Sequence, residues 1–309
     1  MWFVDIIKSS GKTGFEIGVY ILLPILVIMM AIMRLIEKKG ILAKLAFIIS
    51  PLMFFSGLPA IGLFAVLQIL FINFAAPLAT ITIMEKDESI SEREMASMLA
   101  VIFAMPQANA TFPLTSKGLN LGITILFSVI SMFLTGIITY HFLAKNMGVH
   151  TLKFLKKIDY LKSDQKTLKI LMEAGSEGFN LAINSISMII IALFIVNILK
   201  NFGVIEFLEK VLKPLFVQFG VSSISVLPIV TKYIAGGTAM MGVTIDLIDK
   251  GLMSALDLNK IAGFVINPLD PVGVAILASG PKSSKVVKPA IIGGIIGIFI
   301  KGILHILYF

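Results

Sequence analysis

Cysteine is absent from the 309 residues, which excludes disulfides and thiolate metal sites. Histidine is almost absent: His141, His150 and His305 lie far apart and give no metal-ligand spacing. Charged residues make up only 14 %, where soluble domains carry roughly a quarter. The patterns HExxH, GxSxG and the P-loop do not occur. These absences point away from catalysis, from a cofactor and from a bound metal. Residues 1–14, MWFVDIIKSSGKTG, lack the basic start, apolar centre and small-residue cleavage site of a signal peptide. A soluble domain is not expected either, because the longest polar stretch is about 25 residues.

What is present is apolar. The chain is 57 % hydrophobic, its mean hydropathy is +0.98, and runs of membrane-spanning length recur from end to end, as in an all-α integral membrane protein. The net charge of +8 invites a nucleic-acid partner. The lysines, however, cluster between apolar segments, where membrane topology places them. No nucleic-acid partner is expected.

Residues 145–169, KNMGVHTLKFLKKIDYLKSDQKTLK, carry seven lysines and two aspartates and divide the chain in two. The halves match. Gly14-Phe15 recurs as Gly178-Phe179, Gly40 as Gly203, Pro51-Leu52 as Pro214-Leu215, Gly57 as Gly220 and Pro106 as Pro268, at offsets of 162 to 164. Residues 1–145 and 170–309 are therefore expected to be two membrane repeats joined by a basic linker, 146–169. Each repeat opens with a spanning helix (about 15–35 and 178–199). An amphipathic interfacial helix follows (about 41–55 and 204–219). Then comes a run broken in its middle (58–84 and 222–248), followed by a proline-interrupted helix and a final spanning helix. Half of a broken run is about 20 Å long at 1.5 Å per residue, too short for a hydrocarbon core of about 30 Å. That favours a re-entrant hairpin over a single kinked crossing.

Each half crosses an odd number of times under either reading, so the second repeat is expected to be inverted relative to the first, as in secondary transporters. Lys and Arg number 16 on the linker's side and eight on the other. This excess predicts a cytoplasmic linker and both termini outside the cytoplasmic membrane.

The polar residues of the apolar runs collect at equivalent places. AMPQANATF (104–112) and INPLDPVGV (266–274) carry Gln107 and Asn109 in one repeat, Asn267 and Asp270 in the other. Helix breaks at Pro106, Pro268 and Pro271 free backbone carbonyls. In hydrocarbon these are tolerated against protein or a water-lined cavity, so two such breaks suggest a midplane binding site; packing kinks are the alternative. An ionisable group at the depth of Asp270 is costly and marks a site by default; Lys232, within the second broken run, is its expected partner. The tips of the broken runs, Asn73 in the first and Gly236, Gly237 and Thr238 in the second, complete the candidate set. Glycine permits close backbone approach to a ligand, and the half-helix after a tip points N–H donors at it; a plain tight turn is the alternative. Lys301 and His305 are expected to snorkel toward an interface.

This order of elements, with FEIGVYILLPILVIMMAIMRLIEKKG, GFNLAINSISMIIIALFIVNILKNFG and NPLDPVGVAILASG, resembles membrane proteins with a nucleoside-recognition (Gate) domain. That group includes spore-maturation membrane proteins, the membrane part of the ferrous iron transporter B and, more distantly, concentrative nucleoside transporters. The resemblance implies a substrate and a coupling cation held by hairpin tips and broken helices, with a mobile domain that moves like an elevator. By position it implicates Asn73, Gln107, Asn109, Gly236, Thr238, Asn267 and Asp270. The first hairpin, QILFINFAAPLATI, lacks the acidic, glutamine-rich tip of the nucleoside transporters, and the cysteines of the iron relatives are missing. The expected function is secondary transport of a small polar or anionic solute, nucleosides among the candidates, coupled to proton or sodium. A homo-oligomer in the bilayer is expected. The rival is a non-transporting membrane component that acts through a partner protein.

Overall fold

The computed structural model describes residues 2–39, 53, 55–148, 167–204, 207, 210–211, 214, 216 and 218–309. The interfacial helices expected at 41–55 and 204–219 lie largely outside the described residues, as does most of the 146–169 linker. The described residues form helices and turns, with no strand among them.

The first span is longer than its sequence suggests. Trp2–Glu16 (α1), a π-helical stretch Ile17–Leu22 and Leu23–Lys38 (α2) run on without interruption, so the helix begins at Trp2 and not near residue 15. Asp5, Lys8 and Lys12 give the first turns the composition of a tail, yet all three lie on the exposed face. The opposite face is anchored: Ser10 is buried and accepts from Asn197 Nδ2 at 3.0 Å. The matching helix of the second half, Thr167–Asn201 (α8), likewise starts before residue 178. Arg34 on α2 pairs with Glu177 on α8 at 3.1 Å.

Both broken runs fold back. In the first, Gly62–Phe71 (α3) and Pro77–Lys86 (α4) are ten-residue helices, each about 15 Å long. They are tied across the hairpin by Thr80 Oγ1 donating to Gln68 Oε1 at 2.8 Å. In the second, Val226–Asp249 (α9) breaks at Gly236, whose φ of 88° and ψ of 175° lie outside helical space. A straight helix of that length would separate its ends by about 36 Å. Its ends instead meet at one place. The Ser222 N–H reaches Asp257 Oδ1 at 3.3 Å, while the Met253 N–H reaches back to the Leu247 carbonyl at 3.2 Å. The run is thus a hairpin with Gly236 at its apex, and the single kinked crossing is set aside.

Each hairpin is followed by a helix that stops short: Glu92–Ala104 (α5), then Ala108–Thr115 (α6), and Ala255–Val265 (α10), then Pro271–Leu277 (α11). Leu121–Ile138 (α7), prolonged by a π-helical Thr139–Leu143, follows the first pair. Pro281–Lys285 (α12) and Val287–Tyr308 (α13) follow the second. α5 and α10 start with the same device. Ser91 and Glu94 form a capping box, and so do Ser254 and Asp257, in which each side chain satisfies the other residue's otherwise orphaned backbone N–H. Ser91→Ala and Ser254→Ala are each expected to cost about 1 kcal/mol, to be read from denaturant unfolding in detergent. No change in either would mean that these helix starts are held by packing alone.

α13 shows how the short helices lie. Gly293 and Gly297 sit against Ala100 and Ala104 of α5. One turn on, Lys301 reaches the Ala104 carbonyl that ends α5 and the Ile266 carbonyl just past the end of α10. Beyond it, Gly302 lies against Gly263, and His305 meets the Asn259 carbonyl at 2.7 Å. A Cβ on Gly263 would come 2.6 Å from the Gly302 backbone, so only glycine allows this approach. α5 therefore runs along α13 in its own direction and α10 runs against it. The two end facing each other beside Lys301.

Six helical stretches among the described residues are long and apolar enough to cross a membrane, and the second hairpin is one of them. The apolar part of Glu92–Thr115 is wholly buried in the protein, which puts the first break at its centre.

Candidate functional site

The four interruptions meet at one small cavity of about 110 Å³. Phe74 comes from the first hairpin tip, Gln107 and Asn109 from the first break, and Gly236, Gly237 and Thr238 from the second tip. Pro268, Asp270, Val272 and Gly273 come from the second break. A larger cavity of about 500 Å³, bordered by Phe219, Tyr233, Phe264 and Phe299, is almost wholly apolar and has little with which to orient a polar solute.

The second break is built from its prolines upward. Pro268 has no N–H to give to the carbonyl four residues earlier, that of Phe264. Asn267 Nδ2 at 2.7 Å and the Tyr233 hydroxyl at 2.8 Å donate to that oxygen instead. The Asn267 Oδ1 accepts from the Leu269 N–H at 3.0 Å. Asp270 then caps α11: its Oδ1 accepts from the Gly273 N–H at 2.8 Å. Pro271 occupies the first helical turn, where a missing donor costs nothing. The remaining oxygen, Oδ2, accepts from Lys232 Nζ at 2.6 Å. The lysine side chain is 0 % exposed and the aspartate 8 %, so the ion pair is almost fully withdrawn from solvent.

The sequence-expected residues divide. Gln107, Asn109, Gly236, Gly237, Thr238 and Asp270 line the cavity, and Lys232 stands behind Asp270. Asn267 is fully buried and its amide serves the backbone. Asn73 is at its hairpin tip but its Oδ1 holds the turn before α4, accepting from the N–H groups of Ala75 and Ala76 at 2.9 and 2.8 Å. It also donates to Glu177 Oε1 at 3.3 Å. Its neighbour Phe74 is the one that faces the cavity.

Lys301 and His305 do not snorkel. Both are 0 % exposed. Lys301 Nζ donates to the Ala104 carbonyl at 2.6 Å and to the Ile266 carbonyl at 3.0 Å. Helix C-termini leave carbonyls unpaired and carry partial negative charge, and two of them converge here. An ammonium beside them is better placed than one stretched toward headgroups. The sequence signal was the isolated lysine itself; that two helix ends would meet there was not in it. Among the described residues, no group of three His, Asp or Glu is placed to hold a metal ion.

Gly237 is tightly constrained. A Cβ there would fall 1.8 Å from Gln107 Nε2. Gly237→Ala is therefore expected to push the second hairpin tip off Gln107 and to weaken any ligand of this cavity at least about tenfold, one hydrogen bond's worth. Gln107→Ala in the same chain should relieve the clash at the tip. Protease or cysteine-labelling rates at the tip check this, and an unchanged rate in Gly237→Ala would show that the tip does not rest on Gln107.

No protein-family model matches the chain. Residues of this chain are 30 % identical over 82 positions to spore maturation protein B of Bacillus subtilis (strain 168), a match to 26 % of this chain and 46 % of that protein. The chain thus spans less than half the length of that relative. Among solved structures, CNTnw in an inward-facing substrate-bound state superposes with a TM-score of 0.70 at 15 % identity, covering 99 % of this chain and 84 % of that one. A variant of CNTnw in an outward-facing state gives 0.67 at 14 %, with 99 % and 83 % covered. The all-helical membrane fold is that of the concentrative nucleoside transporter structures.

Proposed function

We propose that the chain is a multi-pass secondary transporter that binds a small polar solute between its hairpin tips and helix breaks. One observation carries this reading: four separate interruptions of regular helix, from both halves of the chain, converge on a single cavity with polar side chains. Irregular backbone inside a bilayer belongs where it lines a cavity, and paired discontinuous helices are how transporters build a midplane site. The opposed run of α5 and α10 along α13 supports an inverted relation between residues 1–145 and 170–309. In this reading the two hairpins and broken helices move together as an elevator against the long helices α1–α2 and α8. Proton or sodium supplies the drive, the linker lies in the cytoplasm, and both termini lie outside. The assembly in this reading is a homo-oligomer in the cytoplasmic membrane, and the similarity to the nucleoside transporter structures keeps nucleosides among the candidate solutes.

The test is uptake by purified protein in liposomes under an imposed proton or sodium gradient, across a panel of nucleosides, bases, carboxylates and amino acids. Gradient-dependent accumulation of one class is the expected result. The partial match to spore maturation protein B supports a second reading, a membrane component that acts through another protein. Uptake of nothing in the panel, together with co-purification of a stoichiometric membrane partner, would favour it.

A further inference from the structure

Resting on the transporter reading, the chemistry of the cavity narrows its ligand. We infer that the site takes a neutral, flat, single-ring lactam or imide, a ring with adjacent N–H and C=O groups, and takes neither an ion nor a ring carrying a sugar. Charge comes first. Asp270 is the ionisable residue that lines the cavity, and both of its oxygens are engaged, one by the Gly273 N–H and one by Lys232. Lys232 is wholly buried against that carboxylate. The pair therefore sums to zero, leaving no free cation for an anionic solute and no free carboxylate for an amine.

Hydrogen bonding comes second. Asn109 lines the cavity and is 4 % exposed, and its Oδ1 is buried with no partner among the described residues. A buried amide oxygen calls for a donor, and the same carboxamide offers a donor beside it. A ligand with N–H next to C=O matches that edge whichever way the amide is turned. The Gln107 amide stands two residues away. Gly237 and Thr238 begin the returning arm of the second hairpin, whose first N–H groups have no partner within the helix.

Shape comes third. The volume of about 110 Å³ is well below the ~300 Å³ at which pockets for drug-sized ligands begin. The ring of Phe74, with Pro268 and Val272, supplies apolar walls for a flat ring. A bare ring suits a cavity of that size better than a ring bearing a pentose.

The inference is tested on the full chain in detergent with four probes: uracil, 2-pyridone, uridine and benzoate. Thermal stabilisation and calorimetric Kd are read for the wild type and for Asn109→Leu. Uracil and 2-pyridone are expected to raise the melting temperature of the wild type, and uridine and benzoate to leave it unchanged. Asn109→Leu keeps its melting temperature without ligand and loses at least about tenfold in uracil affinity, as the loss of a directed hydrogen bond requires. Preference for uridine over uracil, or a response to benzoate, overturns the inference and leaves transport standing. No response to uracil or 2-pyridone, or full uracil affinity in Asn109→Leu, overturns it as well. The transporter reading fails separately, when no solute of the uptake panel accumulates.

Discussion

Asp270→Asn is expected to destabilise the protein by about 3–5 kcal/mol, because it strands a fully buried ammonium. Lys232 Nζ lies 2.6 Å from Asp270 Oδ2 and its side chain is 0 % exposed. Asparagine can still cap α11 by accepting from the Gly273 N–H, but its amide nitrogen then faces the ammonium, so the change removes both the charge and the acceptor that Lys232 uses. Lys232→Met is expected to cost a similar amount for the converse reason, since it leaves a carboxylate in a dry site. The double variant Asp270→Asn, Lys232→Met should recover most of the loss, because replacing a whole buried pair is far milder than breaking it. Unfolding of the three variants in a fixed detergent gives the coupling energy directly. Strictly additive losses would mean that the two groups do not interact, and the neutral character assigned to the cavity would fall with that result. In uptake assays the single variants are expected to be inactive; normal gradient-driven uptake by Asp270→Asn would remove Asp270 from the site.

The second large effect is expected at Lys301. Two carbonyls, from Ala104 and Ile266, depend on one ammonium. Lys301→Met leaves both oxygens buried without that donor, at a cost of roughly 1.5–3 kcal/mol for each charged hydrogen bond. Some of this is offset because a buried charge no longer has to be desolvated. A net loss of about 3 kcal/mol is expected, with a clear drop in melting temperature. Lys301→Arg should not restore stability, since a planar fork does not replace a compact ammonium between two converging carbonyls. A lysine that merely reached toward headgroups would tolerate either change within about 0.5 kcal/mol. The same variant should also reduce ligand affinity, because α6 and α11 continue from the helix ends that Lys301 holds, and they carry Gln107, Asn109 and Asp270.

Much of this arrangement was legible in the chain. Hydropathy and the lysine-rich division gave the membrane class. The recurring glycines and prolines gave the order of elements, because a turn or a helix break needs its special residue wherever it occurs. The sequence already pairs Asp270 with Lys232, since neither charge is tolerable alone at that depth. The capping boxes were also within reach: Ser91-x-x-Glu94 and Ser254-x-x-Asp257 are local patterns that an apolar-run reading passes over.

Other features depend on which groups meet across long separations in the chain. The first helix starts at Trp2 because Ser10 and Asn197, 187 residues apart, bury a polar contact there, and no local pattern records that. Asn73 and Asn267 have the composition of ligand contacts, yet a hairpin turn and a proline break claim their amides first, because unpaired backbone is costlier than an unused side chain. Phe74 faces the cavity while Asn73 beside it turns away, a choice made by hairpin geometry. Lys301 looked free to reach the surface, since helix periodicity fixes which face a residue occupies but not what ends opposite it. The sequence by itself determined the all-helical membrane class and the helix breaks, because these follow from local backbone chemistry and transfer cost. Only the tertiary structure decided which polar groups are left for a ligand, because that depends on which donors and acceptors the fold has already used.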